Sequence, residues 1–438
     1  MTEAELSRRQ LLRSAASASL ALVAGPALAA EGNAQRTFPG ADFVNSVGVC
    51  AHNGNKQTPY YSNFPKLIEL LQDLGVRHIR DDALFANYVG RDHEFYQRMR
   101  TLVGMGFGLD LVCADPLNGY LFVPPRRIAE IYEWCDHGVE IFEGSNEPNL
   151  FKNSNMNPAI SAEHQRTLYA TVKATPALRN VVVASPSYIQ KSVPIAEDIS
   201  DVVDWMNIHP YPGMEHPETT GPGALLGFVA GSERIVGKKP VLVSETGYHT
   251  AVQTTKFHLP VSEPIKTRYL PRLLLWDFKN GVRRSYIYEM MDSFNNGLTD
   301  PESNFGLVTF DGTRKPCFLA VKRLLALFAR PATNARVLDL RFELAGGLQD
   351  VQSIAFRRPD GSHLLFLWLG VSGWDRVAKV GRPPVSRELY LTLNPLPRAA
   401  KARVFQDDGT LSESPVGQAD GHLKVVVSDQ LTAVEIEA

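Results

Sequence analysis

The sequence predicts a (β/α)8 barrel followed by an antiparallel β-sandwich, and three observations carry that expectation. Strand-like runs and helical stretches alternate through eight strands between residues 47 and 329. Those runs are continuously apolar, as strands buried on both faces must be. Past Pro331 the texture changes to short runs of alternating polarity separated by turn residues, the pattern of an antiparallel sandwich. A doubly wound open sheet also alternates strands with helices, but usually begins with a glycine-rich phosphate loop, and none follows the first strand here.

The elements can be read in order. Residues 47–52 form a first strand. Leu67, Leu70, Leu71 and Leu74 recur at helical spacing over 64–74, and Gly75 stops that helix. A second strand, 76–80, runs into Asp81-Asp82, a helix covers 92–106, and a third strand, 109–113, closes at Asp115-Pro116. Pro124 and Pro125 open a helix through Ile128, Ile131, Tyr132 and Cys135, since proline fits a first turn. The fourth strand is 139–145, followed by a helix at 161–178, a fifth strand at 181–184 and a short helix at 195–203. A sixth strand, 205–209, a helix at 225–236, a seventh strand at 240–245 and a helix at 264–280 come next. An eighth strand at 285–290 and a last helix at 315–329 complete the barrel. In the sandwich the strand candidates are 351–356, 364–368, 389–393, 402–405 and 423–427, parted by Pro359-Asp360-Gly361, Asp407-Asp408-Gly409 and Ala419-Asp420-Gly421. The segment 37–46 is a candidate further strand of the sandwich.

The 438 residues are 44% hydrophobic and 21% charged, with a formal net charge of -2. That supports a large core plus a second domain and gives no support for a nucleic-acid or anionic-membrane partner. Beyond the N-terminus no apolar run reaches the ~20 residues that span a bilayer. Residues 1–30 read as a targeting segment. Arg8-Arg9 precede a modest apolar run, and Ala27-Leu28-Ala29 offers a small-x-small cleavage site. The paired arginines point to twin-arginine export to the periplasm or beyond, with a Sec signal as the alternative. The domain boundaries expected are therefore 1–30, 31–334 and 335–438. Cys50, Cys113, Cys135 and Cys317 match no metal-ligand spacing and read as buried thiols, one disulfide remaining open.

The chemistry concentrates at the ends of strands. Residues 141–149 run from a β-prone segment into Asn146-Glu147-Pro148-Asn149. Pro148 cannot donate to a ladder and biases Glu147 towards an extended backbone, so the strand stops there. Glu147 then stands at the carboxyl end of the fourth strand, where parallel α/β folds keep their chemistry. Glu245 ends the seventh, in Leu242-Val243-Ser244-Glu245-Thr246-Gly247. The ends of strands four and seven face each other across such a barrel's mouth. Glycoside hydrolysis needs a pair of this kind, ~5–5.5 Å apart for retention of configuration and ~6.5–9.5 Å for inversion.

These motifs resemble the fourth- and seventh-strand signatures of clan A glycoside hydrolases, over roughly residues 40–330. Phe142-Glu143 with Asn146-Glu147-Pro148-Asn149-Leu150 leans towards family 39, the xylosidase, iduronidase and exopolysaccharide hydrolase group. The resemblance implies a retaining glycosidase acting on an oligosaccharide or polysaccharide, with Glu147 as acid/base and Glu245 as nucleophile. Glu147 then needs a raised pKa and Glu245 must stay ionised. The resemblance further implies that Asn146 binds the hydroxyl beside the reacting carbon, Arg80 steadies the nucleophile, Tyr211 hydrogen-bonds it, and His209 lines the sugar site. His52, ending strand one, is a candidate for a hydroxyl of the terminal sugar. Glu289 and Asp292 stand at the end of strand eight, where many clan members carry a tryptophan floor; this chain has Tyr288-Glu289-Met290-Met291-Asp292 instead. Tyr248, His249, Phe294 and Asn295 lie in adjacent loops, and Glu143 reads as structural. No metal or organic cofactor is implied. A transglycosylase using the same pair, and a non-catalytic glycan-binding or polysaccharide-assembly protein on this scaffold, are the alternatives. The sugar, the linkage and the oligomeric state are not legible.

Overall fold

Eight parallel strands form one sheet in the order β6-β5-β4-β3-β2-β9-β8-β7 in the computed structural model of the chain. They are β2 Val47–Cys50, β3 His78–Asp82, β4 Gly108–Val112, β5 Val139–Glu143, β6 Val182–Ala184, β7 Met206–Ile208, β8 Val241–Thr246 and β9 Val282–Ile287. The structure describes residues 37–437 save 87–88, 149–157, 190–195, 222, 256–258, 333–339, 395–396, 398 and 420, and not the side chains of 118–120, 158 and 419. The expected export signal, residues 1–30, lies outside the described residues. The sheet curls until β2 pairs with both β3 and β9. The gap between β6 and β7 is closed by a parallel bridge of Ala184 with Trp205, whose carbonyl accepts the Ser185 N–H at 3.0 Å.

Inside the barrel Cys50, Ile141, Ala184, Leu242 and Tyr286 form a small apolar cluster. Gly48 is a glycine because a Cβ there would meet the Tyr286 ring at 2.5 Å. Beside that cluster stand buried polar groups, Arg80, Glu143 and Asn207, each in register with one of its members. The helices form as their sequences ask. In α3, Phe64–Leu74, the Asn63 side chain caps the first turn, Pro65 sits inside it, and Gly75 ends the helix at φ +86. The helices α4 Glu94–Gly104, α7 Leu225–Val236, α8 Glu263–Lys279 and α9 Pro316–Ala326 lie close to their expected spans.

Two expectations are corrected. No helix forms over the described residues 196–203. There Asp198 Oδ1 accepts the Ser200 N–H at 2.9 Å, and the Ile199 N–H is drawn to the Ile235 carbonyl at 2.9 Å, so side chain and neighbour take the bonds a helix would need. The eighth barrel strand lies at 282–287 rather than 285–290, although the chain stays tied to its neighbours beyond it, the Tyr288 N–H bonding the Thr246 carbonyl at 2.8 Å and the Met290 N–H the Cys50 carbonyl at 3.1 Å.

The C-terminal strands make two sheets. The larger has the order β1-β11-β12-β20-β16-β17 and the smaller β10-β15-β19-β18. Here β1 is Thr37–Pro39, β10 Arg341–Gly346, β11 Val351–Arg357, β12 His363–Leu369, β15 Ser386–Asn394, β16 Ala399–Phe405, β17 Leu411–Ser414, β18 Gly417–Ala419, β19 His422–Ser428 and β20 Thr432–Glu437; β13 Trp374–Asp375 and β14 Val380–Gly381 form a separate hairpin. The segment before the barrel does lend a strand: β1 runs parallel to β11, Thr37 opposite Ala355. All of β12 is buried because both its faces are used. Leu365, Leu367 and Leu369 face the second sheet, whereas Leu364, Phe366 and Trp368 join the barrel's core. Phe38, Phe43, Phe278, Phe328, Phe356 and Phe366 stack edge-on or tilted at that seam. Barrel and sandwich thus belong to one unit, residues 35–438. All four cysteines are free and buried, and no helix of the described residues is long and apolar enough to cross a membrane.

Candidate active site

At the carboxyl ends of the barrel strands, Arg80 of β3 organises three acceptors. Its Nε and Nη2 donate to the two oxygens of Glu143 at 2.7 and 3.1 Å, and Nη1 donates to Glu245 Oε1 at 2.6 Å. Nη2 also donates to Asn146 Oδ1 at 2.8 Å. Glu143, wholly buried, further accepts from Asn207 Nδ2 at 2.8 Å and Ser244 Oγ at 3.1 Å. Arg80, Asn207 and Ser244 thus occupy both of its oxygens. Asp81 and Asp82 do not pair with Arg80; Asp81 accepts instead from the Asn53 backbone and side chain, both at 2.9 Å.

Glu245 closes the arrangement from β8. Tyr211, on the loop after β7, donates its hydroxyl to Glu245 Oε2 at 2.8 Å, and His209 Nδ1 lies 3.6 Å from the same oxygen. Burial alone would raise the Glu245 carboxyl. The His209 ring, the Arg80 guanidinium and the Tyr211 hydroxyl outweigh it and hold the pKa down at about 2. Across from it stands Glu147, half-buried, with Oε1 3.1 Å from His209 Nδ1. His209 Nε2 is 2.9 Å from Ser244 Oγ, which fixes the ring between the two carboxylates.

One donor atom each from Glu147, His209 and Glu245 lie within 4.8 Å of one another. That set of two carboxylates and one imidazole is of a kind that can ligate a divalent cation. Here the Arg80 guanidinium already sits 2.6 Å from Glu245, so a positive charge of the protein's own occupies that role.

Glu147 departs from expectation in its backbone. It was expected to be extended before Pro148, but its φ is +41, in the left-handed region. Asn146 bridges Ser187, and Ser187 Oγ accepts the Glu147 N–H at 3.1 Å. Such a conformation costs on the order of 1–3 kcal/mol and is held by its surroundings.

His52 and Glu289 meet on the adjoining wall rather than at the pair itself. His52 Nε2 lies 3.2 Å from Glu289 Oε2. Burial would lower the His52 pKa, but the Glu289 carboxylate beside it, with Asp81 and Asp82, carries it to about 9. Glu289 is fully buried and also accepts from Tyr60 at 3.1 Å and from the Ser293 hydroxyl and N–H at 2.7 and 3.1 Å. Asp292 does not enter the site: it holds Lys315 and the Gly306 N–H, both at 2.8 Å. Tyr248 points its hydroxyl to the Glu215 carbonyl and packs on Tyr269.

Sequence reasoning missed Asn207, Ser244, Ser187, Tyr288 and Glu302. Asn207 shares strand parity with His209 and so was within reach of a period-2 argument, whereas Ser244, adjacent to Glu245, has the opposite parity and was not. Tyr288 stands where a tryptophan was sought; its ring meets those of His52, Tyr211 and Phe305 at 5.6, 6.3 and 5.2 Å, and its hydroxyl donates to Glu302 at 2.8 Å. Glu302 gave no signal beyond a turn-like Asp300-Pro301-Glu302-Ser303.

No family model and no curated protein matches the chain. Solved structures do. A family 39 glycoside hydrolase from Bacteroides cellulosilyticus WH2 aligns at a TM-score of 0.62 and 19% identity, over 90% of this chain and 82% of that one. AbfB, a family 51 α-L-arabinofuranosidase from Bifidobacterium longum, aligns at 0.58 and 12%, over 92% and 97%. The catalytic domain of a GH30 xylanase C from Talaromyces cellulolyticus aligns at 0.51 and 11%, over 93% and 98%. At these identities the likeness is one of architecture: the chain has the fold of those hydrolases, a (β/α)8 barrel joined to a β-sandwich.

Proposed function

We propose that the protein is a retaining glycoside hydrolase that cleaves O-glycosidic bonds of an oligosaccharide or polysaccharide. One observation carries the reading: carboxylate oxygens of Glu147 and Glu245, from the fourth and seventh barrel strands, lie within 4.8 Å of each other. That separation fits direct attack on the sugar better than the wider gap of an inverting pair. The likeness to three glycosidases of different families supports the same class of chemistry.

The roles follow from the environments. Glu245, held ionised by Arg80 and Tyr211, attacks the anomeric carbon and forms the glycosyl-enzyme bond. Glu147 gives its proton to the leaving oxygen, then takes one from the water that breaks that bond. Asn146 spends its carbonyl on Arg80, which leaves its amide N–H groups to donate to the hydroxyl next to the reacting carbon. Tyr288 offers a ring face where the sugar sits. The signal-like residues 1–30 fit a glycan met outside the cytoplasm.

Glu147→Ala tests the assignment. Natural glycans should then be cleaved far more slowly, by about 10²–10⁴-fold, while aryl glycosides with good leaving groups lose much less, and azide restores rate. NMR of the first-formed product should show the starting anomeric configuration. Equal loss on both substrate types without azide rescue overturns the acid/base role. Glycan binding without turnover, unchanged by replacing either glutamate, favours the non-catalytic alternative.

A further inference from the structure

His209 stands between the two carboxylates of the site, and the hydrogen bonds around its buried ring fix where its hydrogens lie. The charged groups about it are Glu147, just past β5, Glu245 of β8, and Glu143 of β5 with Arg80 of β3 behind them. Tyr211, on the loop that follows the ring, gives its hydroxyl to Glu245. Arg80 donates to both Glu143 and Glu245 and so favours their ionised forms. Asp110, buried beside Glu143, keeps its own proton, because burial first and then Glu143 push its carboxyl well up. Ser244 Oγ lies 3.1 Å from Glu143 Oε2 and 2.9 Å from His209 Nε2. An ionised carboxylate only accepts, so the serine hydrogen goes to Glu143. Ser244 then turns a lone pair to the ring, and Nε2 must carry a hydrogen to meet it. On the other side Nδ1 lies 3.1 Å from Glu147 Oε1 and 3.6 Å from Glu245 Oε2. A bare nitrogen facing two ionised carboxylates would leave the shorter contact without a hydrogen, so one proton lies between Nδ1 and Glu147.

We infer that Ser244 is a positioning residue: bonded to Glu143, it fixes His209 with a hydrogen on Nε2, so that Nδ1 and Glu147 hold in common the proton destined for the leaving oxygen. This rests on the glycosidase reading above and names how the acid of that reaction is kept loaded. With the proton on the ring, the positive imidazole faces Glu245 and helps to hold it ionised. With the proton on Glu147, the acid is ready. As the bond from the anomeric carbon to the leaving oxygen breaks, that proton passes from Glu147 to the oxygen while a Glu245 oxygen bonds the carbon. The water that later breaks the glycosyl-enzyme bond returns a proton to the same pair. Without the serine, a neutral ring can carry its one hydrogen on Nδ1 and bond an ionised Glu147, which then has no proton to give.

Nitrogen-15 NMR of the full chain labelled at histidine reads the hydrogen on each ring nitrogen, and the spectrum of His209→Gln assigns the signal. At about pH 6 the Nε2 of His209 should be protonated. A bare Nε2 overturns the inference, whether or not any glycoside is cleaved. On a glycoside that the protein cleaves, Ser244→Ala should move the basic limb of kcat/KM to lower pH by about one unit. Its kcat/KM should fall about tenfold on natural glycans, and less on aryl glycosides whose leaving groups need little protonation. Ser244→Thr keeps the hydroxyl and should restore the limb. A limb that stays in place in S244A, or equal losses on both substrate types, overturns the positioning role while the glycosidase reading stands. A protonated Nε2 with no turnover of any glycoside sinks that reading, and the catalytic part of the inference with it.

Discussion

Tyr211 contributes one hydrogen bond, and its removal should be legible in the pH profile. Its hydroxyl helps to hold Glu245 at about 2 against an ordinary 4.5. A depressed carboxyl contributes stability that is present above 4.5 and is lost as pH falls from there towards 2. Tyr211→Phe raises the Glu245 pKa, so the acid limb of kcat/KM should move to higher pH and the acid stability should shrink. The rate at the optimum should fall about 10- to 100-fold, the worth of a hydrogen bond to a charged group. An unmoved acid limb contradicts the assignment of Glu245 as the ionised partner. Residues of this kind were legible because each lies near the carboxyl end of a barrel strand or just past it: Arg80 within β3, Glu245 within β8, His209 directly after β7 and Glu147 four residues after β5. Glu302 was not, because its place depends on the path of a loop that no local pattern specifies. Glu289 was placed at the correct wall, but its role is to hold His52, and only the three donors around it show that.

Among the elements, the loop leaving β7 is where the sandwich reaches the chemistry. Tyr211 lies near its start and Glu218 further along. Glu218 is paired with Arg272 of α8, accepts from His216 and from Trp368 Nε1 of β12, and its carboxyl is held at about 2; burial opposes this and Arg272 and His216 overcome it. Trp368→Phe keeps the ring in the core and removes only the N–H. The expected result is a loss of about 1–3 kcal/mol in stability, read by urea unfolding, and a lower kcat, since Tyr211 is less firmly placed. Unchanged stability would show that Arg272 alone fixes the loop. Helices with a clear apolar stripe and a stop signal, α3 and α7, were readable to the residue. The expected helix at 195–203 failed because an Asp-Ser turn and the Ile235 carbonyl outbid a weak apolar period.

Barrel and sandwich form one unit, residues 35–438, because an aromatic seam and the buried pairs of Arg268 with Asp407 and Asp429 join them. Cutting the chain at residue 334 would bare Phe43, Phe278 and Phe328, which now pack against Phe356 and Phe366. Calorimetry of the full chain should show a single cooperative transition, and the fragment ending at 334 should aggregate. Two resolved transitions would mean that the halves are independent. The alternation of polarity past Pro331 was enough to foresee the sandwich, but a core shared with the barrel was not, since both faces of β12 read alike. The parallel pairing of β1 with β11 has a further consequence for how the molecule is made. The first strand described waits for a partner encoded near residue 355, so folding cannot run to completion while the polypeptide is still emerging from the ribosome. Until residues 355–357 are made, the aromatic seam around Phe43 has no Phe356 to close it.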